Sequence, residues 1–192
     1  MRELTYYVAV SIDGFIAGPE GEFDFFLAEG DHRDAINERF NQTIPTQISE
    51  ALGIPTDGEL FDTVLMGWNT YAIGLPTLST PYSHLRQVVF TSRTPEPVEG
   101  VEFTDRDPVE MIRELKAEPG KGIWLCGGGA LAAALADEID RLVLKVNPVI
   151  LGSGIPLFGE RGFAPRSLAR TATTAFDSGV VLAEYELMDR VA

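Results

Sequence analysis

Short apolar runs rich in β-branched and aromatic residues recur along this chain, with helix-forming segments between them. No other feature narrows the possible folds as far. A strand that rejoins its sheet through a helix runs parallel to its predecessor, and the helices then cover the sheet faces. "LTYYVAVS" opens the series and predicts a buried strand over about 3–11, broken by a loop at Asp13-Gly14. "DTVLMG" (62–67), "RQVVFTSR" (86–93) and "GIWLC" read as further strands. "IDRLVLKVNPVIL" (139–151) is another, interrupted at Pro148. Helices are predicted near 31–42, from Asn69-Thr70 onward, over 107–120 and over "ALAAALA". The third has Asp107 as N-cap, Pro108 at its first position and Gly120 past its end. From the first helix to about residue 60, proline and polar interruptions predict less regular structure. The tail, 167–188, reads as a β-hairpin turning at Asp177-Ser178-Gly179. The expected fold is α/β, a three-layer α/β/α domain with a mostly parallel central sheet ending in an antiparallel C-terminal hairpin.

At 192 residues the chain can bury one sizeable core but hardly two. No internal repeat, low-complexity tract or linker divides it, so residues 1–192 are expected to form a single domain. A formal charge of −14 without a basic stripe argues against nucleic acid or an anionic membrane as partner. A small anionic ligand needs only a few local donors and stays possible. Cys126 is the only cysteine, which excludes a disulfide framework and a thiolate metal cluster. No Asp/Glu/His cluster has metal-ligand spacing, so no metal is expected. The opening lacks the features of a signal peptide, and no apolar run nears the roughly 20 residues of a membrane span. The expected location is the cytoplasm.

Three predicted strand ends share a chemistry: "LMGWNT" (65–70), "VFTSR" (89–93) and "WLCGGGA" (124–130). Each passes at once into small or hydroxyl-bearing residues. Ligands of open parallel sheets bind beyond the carboxyl ends of the strands, and glycine lets a backbone approach a phosphate closely. The glycine triplet alone is either a tight turn or such a cradle; it matches neither GxGxxG nor a P-loop. Thr70 adds a hydroxyl donor at a second strand end. Ser92 and Arg93 add a grip for an anionic group at a third, Arg93 being suited to a monophosphate.

With "VAVSIDGFIAG", "DTVLMGWNTY", "VVFTSR", "IWLCGGGALAAALA" and "IDRLVLKVNPVILGSGIPLFG" in this order, the chain resembles the RibD C-terminal domain (bifunctional deaminase-reductase domain) family of the dihydrofolate reductase-like superfamily. The resemblance covers about residues 4–159 and implies an NADPH-dependent reductase. It implies that Ala9, Ile16 and Ala17 line the nicotinamide pocket, and that Gly67, Asn69 and Thr70 meet the pyrophosphate and nearby ribose. Ser92 and Arg93 would hold the adenosine 2′-phosphate, and Gly127, Gly128, Gly129, Ala130 and Leu131 would cradle the pyrophosphate. The family often has a basic residue directly after the Met-Gly pair; here Trp68 stands there, leaving Arg93 to carry most of the 2′-phosphate preference. The resemblance also implies a homodimer.

Hydride delivery to a C=N bond needs a proton for the nitrogen, from an acid or an ordered water. Asp24, inside "FDFF", is the candidate catalytic acid, since flanking aromatics would desolvate it and raise its pKa. The alternative is that Asp24 caps a turn while the phenylalanines fill core. Asp13 reads as a turn residue shaping the loop over the nicotinamide. Riboflavin-pathway substrates carry a phosphate, yet residues 20–62 offer only Arg33 and Arg39 as cations. Arg161, Arg166 and Arg170 are further candidates from the C-terminal part. No deaminase zinc motif is present. His32 and His84 read as surface residues, and Cys126 as a small buried side chain near the cofactor rather than a nucleophile. Trp68 either stacks on a ligand or covers the sheet. The expected function is reduction of a C=N or imine-like bond in a small pyrimidine- or pterin-type substrate. The alternatives are a catalytically idle dinucleotide-binding or interaction domain and a dihydrofolate reductase-type enzyme.

Overall fold

The computed structural model describes residues 1–188. In chain order its elements are β1 (Leu4–Ser11), β2 (Phe15–Ala17), α1 (Asp31–Arg39), α2 (Thr46–Leu52), β3 (Phe61–Gly67) and α3 (Trp68–Ala72). Next come β4 (Arg86–Phe90), β5 (Val101–Thr104), α4 (Pro108–Ala117), β6 (Gly122–Gly127) and α5 (Gly129–Ala134). The chain finishes with β7 (Arg141–Asn147), β8 (Ile155–Pro156), β9 (Leu168–Ala175) and β10 (Val181–Leu187). Eight strands form one sheet in the order β5-β4-β3-β6-β1-β7-β10-β9, and β2 pairs with β8 in a separate ribbon. Pairing from β5 through β7 is parallel, whereas β10 runs antiparallel to both β7 and β9. The α/β fold with its mostly parallel sheet and closing hairpin is therefore as expected.

Side-chain alternation along β1 sets the layers. Leu4 and Tyr6 enter a core closed by Met111, Ile112 and Leu115 of α4 and by Leu131, Ala132 and Leu135 in and after α5. Tyr7 enters the core on the other face, with Ile36 and Phe40 from the α1 region and Tyr71 of α3. Its ring stacks on Phe40 at 4.5 Å between centroids. The α4 boundaries follow from local chemistry. Asp107 accepts from the backbone N–H groups of Val109 and Glu110, and Pro108 needs no donor at the first position.

Several boundaries differ from the sequence reading for tertiary reasons. The first helix stops at Arg39, and a 3-10 turn follows over Asn41–Thr43. There the Gln42 side chain is buried and accepts from the backbone N–H groups of Leu60 and Phe61 while donating to Phe61 O. That amide ties the turn to the start of β3. The segment expected to be irregular contains α2, ended by Gly53 at φ +65°. The 86–93 run stays paired only to Phe90, which frees Ser92 and Arg93 from the sheet. No helix among the described residues is long and apolar enough to cross a membrane.

Candidate functional site

A cleft of about 890 Å³ opens at the carboxyl ends of β1, β3, β4 and β6, within the usual range for cofactor and ligand sites. Ile16 and Ala17 of β2 form one wall. Gly67, Asn69 and Thr70 enter from the β3–α3 junction, Ser92 and Arg93 from beyond β4. Gly128, Gly129, Ala130 and Leu131 complete it from the start of α5. Thus four separated stretches of sequence converge on one space. Ala9 and Gly127 do not line it. Val8 does, and alternation along β1 turns Ala9 to the opposite face.

The glycines here are set by space as much as by conformation. A Cβ on Gly128 would lie 3.2 Å from Thr70 Oγ1, and one on Gly67 would lie 3.7 Å from Gly128 N. The Gly127–Gly128 peptide is cis, and Gly127 has φ +138°, a region that L side chains rarely adopt. Gly129 faces backwards. A Cβ there would overlap Pro156 O and come within 3.1 Å of Gly159 N. The stretch through Ile155–Gly159 therefore buttresses the α5 start, and Tyr6 reaches the same segment by donating to Leu157 O at 3.0 Å.

Arg93 is exposed, but its guanidinium carbon lies 5.2 Å from the Trp68 ring centroid. Trp68 in turn packs against Tyr71 and Phe103. Trp68 thus lines the cleft and also supports Arg93 by a cation–π contact. Cys126 lies deeper, beside Tyr82. Burial pushes the thiol up to about 12, so it stays protonated at neutral pH and is a poor nucleophile.

Asp13 does not reach into the cleft. Its carboxylate accepts from Ser11 Oγ at 2.6 Å and from the backbone N–H groups of Leu151 and Gly152. The Ser11 hydroxyl, followed by those amides, holds its pKa down at about 2. The folded value lies below the ordinary 3.8, so this clasp between the first loop and the stretch after β7 is intact above about pH 4 and lost as pH falls through 2. We expect the amide shifts of Leu151 and Gly152 to titrate with a midpoint near 2; a midpoint near 4 would contradict the clasp.

Other candidates fall elsewhere. Asp24 is exposed and does not line the cleft; Phe25 and Phe26 pack edge-on against each other, at 4.8 Å between centroids. The aromatics beside it in sequence therefore do not desolvate it. Arg161 pairs with Asp137 and Arg166 donates to Ala136 O, both just beyond α5. Arg33 pairs with Asp34, Arg39 with buried Glu184, and Arg170 is exposed on β9. His32 is not a surface residue. It is 2% exposed, with Nδ1 bonded to Ser178 Oγ and Nε2 to Leu27 O. His84 is half-buried between Thr46 and Gln42 O. Both rings bridge segments far apart in sequence, which isolated histidines in a one-dimensional reading do not reveal. Sequence reasoning also missed the apolar lining from Val8, Phe23, Phe90 and Ile155. These read only as core or loop residues until the fold converges them.

Comparison with known proteins agrees with this fold. A family model described as the RibD C-terminal domain matches residues 2–182. The uncharacterized protein YwjB of Bacillus subtilis (strain 168) is 35% identical over 167 residues, covering 83% of this chain and 84% of that one. The uncharacterized protein YyaP of the same organism is 29% identical, covering 96% and 94% respectively. Among solved structures, a putative riboflavin biosynthesis protein from Shewanella sp. PV-4 superposes with a TM-score of 0.71 at 22% identity, covering 98% of this chain and all 100% of that one. The diaminohydroxyphosphoribosylaminopyrimidine deaminase/5-amino-6-(5-phosphoribosylamino)uracil reductase of Thermotoga maritima gives a TM-score of 0.68 at 17% identity, covering 97% of this chain but 57% of that one.

Proposed function

Since the chain belongs to the RibD C-terminal domain family, we propose that it is an NADPH-dependent reductase acting on a C=N or imine-like bond of a small pyrimidine- or pterin-type heterocycle. The observation that carries this reading is the convergence of Gly67–Thr70, Ser92-Arg93 and Gly128–Leu131 on one cleft. The donor set fits a dinucleotide. Glycine backbone without side chains floors the cleft, Thr70 and Ser92 offer hydroxyls, and Arg93 supplies a cation at the outer end. In this reading NADPH, when bound, supplies the hydride. Gly67, Asn69, Thr70 and the glycine stretch hold its pyrophosphate and nearby ribose, while Ser92 and Arg93 receive the 2′-phosphate. Ile16 and Ala17 close over the nicotinamide end and exclude water. Val8, Phe90 and Cys126 add an apolar or uncharged inner wall.

The test is NADPH oxidation followed by absorbance against a panel of pterins, ribosylamino-pyrimidines and dihydrofolate, with cofactor affinity measured separately by calorimetry. Turnover with one panel member supports the proposal. Binding of NADPH with silence across the panel favours a catalytically idle dinucleotide-binding domain. Absence of binding removes the cofactor assignment itself. Asp24 lies in solvent outside the cleft, so Asp24→Asn is expected to leave turnover within about twofold. A loss of about 100-fold or more, the usual scale of general acid–base catalysis, would return Asp24 to the reaction.

A further inference from the structure

At the pole opposite the cleft, where β1, β3, β6 and β7 begin, the surface folds into a second cavity of about 280 Å³. It shares no lining residue with the first. Arg2, Arg39, Lys121 and Arg141 bring four cations to its walls against three glutamates, in a chain whose formal charge is −14. Most of these cations are satisfied by the protein. Arg2 donates to Lys121 O, Asp62 and Thr63, Arg39 holds both oxygens of buried Glu184, and Lys121 bonds to Gly58 O. Arg141 is the exception. Its side chain is 29% exposed, and its Nε is buried without a partner among the described residues. Its terminal nitrogens stand 3.9 Å from Glu3 and 3.6 Å from Glu184, beyond hydrogen-bond reach. None of its five N–H donors is therefore hydrogen-bonded among the described residues.

Thr5 adds a second unmet donor. It is the register partner of Arg141 across the β1–β7 ladder, on the face that carries Tyr7 and Val143 into the α1-side core. It lines the same cavity at 6% exposure, and its hydroxyl has no hydrogen bond among the described residues. Buried polar groups are nearly always satisfied. Pairing with Glu184 does not account for Arg141, because Arg39 already occupies both oxygens of that carboxylate. Unmet donors on adjacent strands, beside an excess of positive charge, call for a ligand that only accepts. The volume lies below the usual span for whole drug-sized ligands or cofactors, and suits a small anion or the charged head of a larger molecule. We propose that this cavity is an oxyanion site, in which Arg141 and Thr5 donate to a phosphate- or sulfate-sized group and Arg39 and Lys121 supply the surrounding positive potential. Nothing in this assignment depends on the reductase reading.

The test is calorimetry on the full chain at constant ionic strength, with inorganic phosphate, sulfate and a phosphomonoester, ribose 5-phosphate, as probes. Arg93→Ala serves as the background, so that an anion held in the cleft does not contribute. At least one probe should bind in a single saturable step, with a dissociation constant below about 5 mM. Tighter binding of the ester marks the head of a larger molecule as the occupant, and tighter binding of the inorganic ions marks the free anion; both support the site. Arg141→Gln should weaken binding about tenfold or more and Thr5→Val about threefold, the scales of a charged and a neutral hydrogen bond. On the wild type labelled with ¹⁵N-arginine, the Arg141 Nε resonance should shift saturably with the bound probe. This measurement stands even where a variant fails to fold. No saturable binding by any probe, binding that survives both substitutions, or an Arg141 resonance that stays in place each overturns the proposal.

Discussion

Replacing Arg93 with alanine is expected to weaken NADPH binding by roughly 1.5–3 kcal/mol, about 10- to 150-fold, while leaving NADH within about twofold. The asymmetry follows from position. Arg93 lies beyond the end of β4, at the outer end of the cleft, and its guanidinium rests over Trp68. That contact holds the planar fork in place before a ligand arrives, so less rotamer freedom is lost on binding. Only the 2′-phosphate distinguishes the two cofactors, and among the described residues no arginine or lysine other than Arg93 lines the cleft. Arg93→Lys should recover part of the loss, because it restores charge without the fork. Because Arg93 is exposed, the difference should shrink with added salt. Isothermal titration with both cofactors decides the matter; equal losses for NADPH and NADH would remove the 2′-phosphate assignment.

The second large effect is on stability. Gly129→Ala should cost about 1–3 kcal/mol, the usual range for overpacking, and lower Tm by about 3–10 °C in a chain of this length. Helix propensity alone predicts the opposite sign, since alanine in place of glycine gains up to about 1 kcal/mol inside a helix. Sterics win here because the new methyl meets backbone, Pro156 O and Gly159 N, together with Ile155 Cγ2 at 3.3 Å. Backbone on both sides cannot step aside as a flexible side chain would. The matching control is Gly162→Ala, which meets nothing within 4 Å and should stay within about 0.5 kcal/mol of the wild type. Thermal unfolding of the two variants side by side checks the argument, and a neutral Gly129→Ala would refute the buttress.

The cleft is legible in the sequence because each of its parts is local. A strand followed at once by Gly, Thr or Ser-Arg is a pattern over a few residues, and parallel topology gathers such ends at one pole. The exceptions are instructive. Ala9 sits in the expected strand, but the two-residue period turns it away from the cleft and presents Val8 instead. Asp24 has aromatic neighbours in sequence, but desolvation depends on neighbours in space, and those leave it in water. His32 and Gln42 are buried because partners some 146 and 19 residues away satisfy them. Strand β5 leaves little trace in the sequence because "VEFT" is short and carries a charge, as an edge strand paired on one side can.

The segment before α1 is fastened at few points. Asp31 accepts from the backbone of Asp177 and Ser178 at the hairpin turn, His32 bonds to Ser178, and Leu27 hangs from Asn147. No sheet hydrogen bond joins residues 19–30 to the strands. A stretch moored by side chains mainly at its α1 end is an exchangeable cassette: its length and composition can drift while the hydrogen-bond ladder beneath is untouched. Chemical diversification in such a scaffold then has a preferred address, and a transplant of residues 19–30 between relatives, with Asp31, His32 and Asn147 retained, is the natural way to exchange one preference for another.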